Sequence, residues 1–226
     1  MPHQPSEPLR RYLAEVATLS GLGSFVYQQL ADTARDLSGG VNSAPSAVGT
    51  SPALQARLEQ ASTRLQSWSA LTGQLCLCRY VDQYFTYLTD LVPALLAAAP
   101  AVAARTAPTS SSCLDLARVS PDRRVDELTF HTLEELAEAF HTLFGLTLFR
   151  SVEEHASVSR LVALRSLFTH RRGIVATQHL SVLGLPSGMA GRVLTLSPSD
   201  IGDGGELLKA AAMALDARAM AQYRLI

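Results

Sequence analysis

The stretch LCLCRYVDQYFTYLTDLVPALLAAA, residues 75–99, limits what this chain can become. Its apolar residues Leu77, Val81, Tyr84, Phe85, Leu88, Leu91, Val92 and Leu95 recur at helical spacing and spread over a wide face. A helix that apolar cannot lie on a surface with one side in water. It must sit at the centre of other helices, and the rest of the sequence offers them.

Residues 6–37 read as one or two helices, with Leu9, Leu13, Val16, Leu19, Val26, Leu30 and Leu37 at helical spacing. A loop by composition, SGGVNSAPSAVGTSP, follows at 38–52. A second helix begins near Ser51-Pro52, carries Leu54, Leu58, Leu65 and Trp68, and is expected to end at Thr72-Gly73 before the central helix starts. APAVAARTAPTSSS (99–112) is a small-residue linker. In 132–145, Thr132 and Glu135 form a capping-box pattern and Gly145 a stop. SVEE (151–154) opens a further helix, expected to end at Gly173 with Ile174 making the closing apolar contact. GRVLTLS (191–197) is a candidate short strand, and a last helix starts at Ser199 or Asp200. The glycines of 202–205 lack the flanking strand and lysine of a phosphate loop and read as a turn. The fold class is therefore all-α: a helical bundle with long loops and room for one short β-hairpin.

The 226 residues suffice for one domain, 1–226, with 66–226 as its core and 1–65 as N-terminal helices of open attribution. An apolar fraction of 47% against 17% charged is that of a globular chain. The longest apolar run is broken by Pro93 and Pro100 and falls short of the roughly 18 residues of a membrane span, so no membrane partner is expected. The N-terminus lacks a signal-peptide core, and a cytoplasmic location is the expectation. A net charge of -1 rules out nucleic-acid binding by bulk charge and requires a local basic patch instead. Cys76 and Cys78 lie about 200° apart around a helix and cannot share a metal. With Cys113 they read as reduced thiols, so neither a metal nor a cofactor is expected.

ALRSLFTHRRGIV, residues 163–175, is the stretch with chemical promise. Arg165 and His170 share a helix with Val158, Leu161, Val162 and Phe168, and Arg165 falls on their apolar stripe, which is costly unless the guanidinium is paired or set in a cleft. An arginine and a histidine with four to six residues between them are weak evidence by themselves, since chance supplies roughly 1.4 such matches here. Arg124 with His131, Arg150 with His155 and Arg172 with His179 also fit the spacing. Context separates them: His155 stands at a helix N-terminus, where the dipole disfavours a cation, and the other two pairs straddle irregular sequence. Only Arg165 and His170 occupy the last turns of one helix. A snorkelling arginine with Arg171 and Arg172 as C-terminal dipole partners is the structural alternative.

The segment LTFHTLEELAEAFHTLFGLTLFRSVEEHASVSRLVALRSLFTHRRGIV resembles HEPN proteins of the RiboL-PSP type, in which a helix and a phenylalanine-glycine step precede a long helix ending in the arginine–histidine motif, a glycine and β-branched residues. CRYVDQYFTYLTDLVPALL resembles their earlier central helix, and the likeness covers about residues 70–185. The resemblance implies a metal-independent endoribonuclease of a toxin or phage-defence type, working on RNA as a homodimer through the motif helix, with a cognate antitoxin or defence partner. It assigns catalysis to Arg165 and His170 and substrate binding to Ser166, Arg171 and Arg172. The chain departs from the family in having Ser166 where a larger polar residue is common. It also has Arg172 where a tyrosine would stand, which leaves control by tyrosine modification without support. Some HEPN modules only bind RNA, a nucleotide or a protein. Among other polar residues, Asp82 could pair with an arginine of the motif helix or simply be exposed, and the structural reading is favoured. His131, His141, Glu134, Glu135 and Glu138 read as solvated.

Overall fold

The computed structural model describes residues 4–42, 52–99, 132–223 and 225. Among them are six α-helices and no strand: α1 (Glu7–Asn42), α2 (Pro52–Ala98), α3 (Leu133–Phe144), α4 (Val152–Arg171), the single-turn α5 (Leu180–Leu183) and α6 (Pro198–Tyr223). The all-α class expected from the periodicity is the one observed. The linker 100–112, Cys113 and the pair Arg124 and His131 lie outside the described residues.

α2 is the axis of the bundle. Leu77, Val81, Tyr84, Leu88, Leu91 and Leu95 are fully buried along it, while α1 lies against it as an antiparallel hairpin partner and α6 and α4 pack on its other sides. Leu9, Tyr12 and Val16 of α1 belong to the same core, which attaches the first helix to it. The attachment begins at Ser6, which caps α1 through Leu9 N–H (3.3 Å) and is itself buried. Its backbone N–H donates to the buried Asp216 carboxylate of α6 at 3.1 Å, and its hydroxyl donates to the same group. A carboxylate at a helix N-terminus faces unsatisfied N–H groups and the positive end of the dipole, which offsets part of its burial cost.

Four expectations need correction. The helix from Pro52 does not stop at Gly73; α2 runs unbroken for 47 residues. Gly73 is there for contact: a Cβ would come within 2.3 Å of Ile201 Cδ1 and 2.5 Å of Tyr27 Oη, so its absence lets α1 and α6 approach α2. The same holds at 202–205, which is helix and not turn. Added Cβ atoms at Gly204 and Gly205 would press on Leu161 (3.0 Å) and the Tyr80 ring (3.1 Å). The short hairpin reduces to one isolated antiparallel bridge, Ile174 with Val193. The turn after α4 also differs. Arg172 already adopts the left-handed conformation (φ 54°), followed by Gly173 (φ 82°). Ile174 is then left exposed, and Val175 is the residue that packs inward.

α3 follows its sequence signals: Thr132 and Glu135 exchange both capping-box hydrogen bonds, and Gly145 closes the helix at φ 63°. At α4 the pattern is half realised. Ser151 Oγ accepts from Glu154 N–H at 3.2 Å, but the Glu154 carboxylate turns to the N–H and guanidinium of Arg150.

Candidate functional site

α4 meets α2 antiparallel, with Arg165 beside Asp82 and Thr169 beside Cys78. Arg165 leaves the apolar stripe of Val158, Leu161, Leu164, Leu167 and Phe168 at the edge facing α2, and there it finds its counter-charge. Its Nε donates to Asp82 Oδ1 at 3.0 Å, and its Nη2 lies 3.0 Å from the same oxygen. The pair is partly open to water, the arginine side chain 22% and the aspartate 38% exposed, so it orders the guanidinium without shutting it off. Of the five guanidinium N–H groups, those of Nη1 remain to meet another anion.

His170, Arg171 and Arg172 follow in the last turn and are all exposed. Five residues of α-helix separate Arg165 from His170 by about 140° and about 7.5 Å of rise. One side chain faces α2 while the other stands in solvent, so the structure does not bring the two together within one chain. Ser166 is half-buried on the same helix.

Part of the positive charge along α4 is matched within the fold. Arg150 is held by Glu154 at 2.6 Å. Burial raises the pKa of that carboxyl, but the hydrogen bonds and charge of Arg150 outweigh it and leave it below the usual range. Arg165 is matched by Asp82, and Arg160 lies near Asp200, whose pKa is lowered by Ser197 hydrogen bonds and then by Arg160. Among the described residues, no ion pair engages Arg171, Arg172 or Arg192. Arg192 is the residue that sequence reasoning missed. The turn after α4 pairs with 191–194 through Val175 N–H to Arg192 O (2.9 Å) and Leu194 N–H to Gly173 O (2.8 Å), which sets an exposed arginine beside the motif's end. No local signal marks it, because the contact is made by a non-local bridge.

Two of the rival histidines have structural employment. His155 stacks on Phe149 with ring centroids 4.8 Å apart and lies 3.9 Å from Glu134. His179 is buried, its Nδ1 accepting from Ala176 N–H at 3.3 Å. His141, Glu134, Glu135 and Glu138 are exposed, as expected. Burial raises the pKa of both the Cys76 and the Cys78 thiol, which keeps them protonated and poor nucleophiles. Among the described residues no three His, Cys, Asp or Glu side chains gather as a metal site would require, and no helix is long and apolar enough to cross a membrane. A cavity of about 220 Å³ between α1 and α2, lined by Arg11, Tyr12, Glu15, Arg79 and Gln83 among others, includes none of the motif residues.

Comparisons with protein-family models, with curated proteins and with solved structures each give no match.

Proposed function

We propose that this chain is a metal-independent endoribonuclease of the HEPN class, acting in the cytoplasm in a toxin or phage-defence role with a cognate antitoxin or defence partner. The observation that carries the reading is the end of α4: His170, Arg171 and Arg172 are exposed in its last turn, Arg192 is exposed on the segment bridged to the turn that follows, and Arg165, on another face of the helix, has its guanidinium held in place by Asp82. RNA supplies its own nucleophile. The 2′-hydroxyl attacks the adjacent phosphorus, the O5′–P bond breaks, and the products are a 2′,3′-cyclic phosphate and a 5′-hydroxyl. His170 takes the 2′-hydroxyl proton or gives one to the leaving oxygen, a pair of roles that an imidazole can fill near neutral pH. Arg165 stabilises the phosphorane through Nη1. Ser166, Arg171, Arg172 and Arg192 hold flanking phosphates. The 140° divergence of Arg165 and His170 favours a cleft completed by a second copy across a two-fold axis, with α4 in the interface.

A second reading draws on the same ion pair. If Asp82 and Arg165 only brace α4 against α2, the basic end is a non-catalytic site for RNA, a nucleotide or a partner protein. Cleavage of RNA in EDTA separates the two. Catalysis requires that Arg165→Ala and His170→Ala each abolish cutting with folding and assembly intact, while Arg171→Ala and Arg172→Ala weaken binding in a salt-dependent way. A wild type that binds RNA without cutting it, losing affinity in Arg165→Ala, establishes the second reading. Cutting that survives His170→Ala removes the histidine from the mechanism.

A further inference from the structure

The outer half of the α1–α2 hairpin shows no core among the described residues. Among the described residues, no apolar side chain of α1 after Val16 is buried, and none of α2 before Cys76. Yet Leu22 and Phe25 of α1 and Trp68, Leu71 and Leu75 of α2 stand between 52% and 62% exposed. Isolated surface hydrophobics are ordinary, but five large ones at matching levels on two paired helices are not.

Their placement follows from the contacts between the helices. α1 faces α2 through Gly23, whose Cβ would lie 3.5 Å from Cys76 Sγ, and through Tyr27, whose hydroxyl reaches Ser69 O at 3.4 Å. At about 100° per residue, Leu22 turns away from that contact line in one rotational sense, and Trp68, Leu71 and Leu75 turn away in the same sense on their own helix, while Phe25 lies opposite the line at the outer edge of that side. Since the helices are antiparallel, equal sense means the same side of the hairpin. Half-buried Leu19, Val26 and Leu65 extend that side, whereas Ser24, Gln28, Ser67 and Gln74 fall on the other. α6 approaches at Gly73 and Gly204, on the side of Leu77, so the apolar side is the one the bundle leaves uncovered.

Charge is missing from the same band. No charged residue occurs between Glu15 and Asp32, or between Arg64 and Arg79. An uncharged patch centred on tryptophan, phenylalanine and leucine has the composition of an interface core. Beyond the band, the outer part of α1 carries Asp32, Arg35 and Asp36, net -1, and that of α2 carries Arg57, Glu59 and Arg64, net +1. A two-fold axis parallel to the helices sets α1 of one copy across from α2 of the next, an arrangement in which these charges attract. At roughly 100 Å² each, Leu22, Trp68, Leu71 and Leu75 supply ~400 Å² of the ~800 Å² per partner that a stable interface needs, before Phe25 at the edge and the half-buried residues around them are counted.

We infer that this uncovered side of the α1–α2 hairpin is a self-association surface, and that two copies of the chain close it as an antiparallel four-helix bundle. The register of α4 on α2, with Thr169 at Cys78, brings the end of α4 level with Leu75. A second copy seated there stands next to His170, Arg171 and Arg172. The inference rests on the hairpin alone and not on ribonuclease activity.

Trp68 is the only tryptophan of the chain and lies at the centre of the surface. The full-length protein should sediment as a dimer at micromolar concentration. Its tryptophan emission should shift to shorter wavelength, and acrylamide quenching should fall severalfold, as the dimer forms. Leu22→Glu and Leu71→Glu should each raise the dissociation constant at least tenfold with an unchanged helical circular dichroism spectrum. A dimer whose Trp68 is as quenchable as that of the dilute protein uses another face, such as α4, and overturns the inference while leaving the proposed function intact. A monomer in which Trp68 is shielded at every dilution overturns it too, because the surface is then covered from within the chain. A dimer with shielded Trp68 that does not cut RNA upholds the surface and defeats the ribonuclease.

Discussion

Arg165 shows how one side chain can be costly and useful together. On an apolar helical stripe it needs a counter-ion, and Asp82 provides one at 3.0 Å from a neighbouring helix. A pair this open to water is worth little as stability, about 0.5–1 kcal/mol. Asp82→Ala is therefore expected to lower unfolding free energy in urea by no more than about 1 kcal/mol. If the pair positions the guanidinium for catalysis, the same variant loses RNA cleavage by tenfold or more, with Asp82→Glu restoring part of it. Equal, small losses in stability and cleavage would make Asp82 a brace and nothing else. The need for such a partner was legible in the sequence, as was Asp82 as a candidate. Arg192 was not, because it reaches the site through a bridge between residues distant in sequence, where periodicity is silent.

Glycines account for most of the difference between sequence and structure at the scale of elements. Gly73, Gly204 and Gly205 sit inside helices that glycine weakens by up to about 1 kcal/mol relative to alanine, so each resembles a break. What keeps them is the neighbouring helix: a Cβ at Gly73 would have to displace the tips of both Ile201 and Tyr27. Gly73→Ala should thus reverse the helix-propensity gain and cost about 1–3 kcal/mol in chemical denaturation through overpacking. A stabilised Gly73→Ala would show that the helices separate easily. Sequence could mark these positions as special but could not tell a stop from a contact, since the contacting residues come from other helices. Where the signal is complete within one turn, as with Thr132, Glu135 and Gly145, the reading and the structure agree. The tie between Ser6 and Asp216 is another long-range bond. Asp216→Ala leaves buried Ser6 donors without an acceptor and should cost about 1–3 kcal/mol, with loss of amide-exchange protection in the first turns of α1. Unchanged protection there would separate α1 from the core.

For the whole molecule, acid is the expected weak point. Despite its burial, Glu154 has a pKa below the usual carboxylate value because Arg150 holds its charged form. A lowered folded-state pKa means stability that is present above the unfolded value, near 4.3, and lost as pH falls through the folded one. Glu154→Gln should therefore flatten the acid limb of the unfolding curve by lowering stability at neutral pH while leaving it nearly unchanged in acid, where the wild-type carboxyl is already protonated; an identical acid limb would place the loss elsewhere. An all-helical bundle was readable from periodicity, but a basic end with an ordered arginine, and an uncovered hairpin beside it, emerge only from packing. The central claim is that this end cuts RNA using the substrate's own 2′-hydroxyl. The most direct measurement compares a single-stranded RNA in EDTA with the same oligonucleotide carrying 2′-deoxy residues, with products resolved by mass. The expected result is cleavage of the RNA to 2′,3′-cyclic phosphate and 5′-hydroxyl ends, with the deoxy strand left whole. Cleavage of both strands, or of neither, would contradict the account.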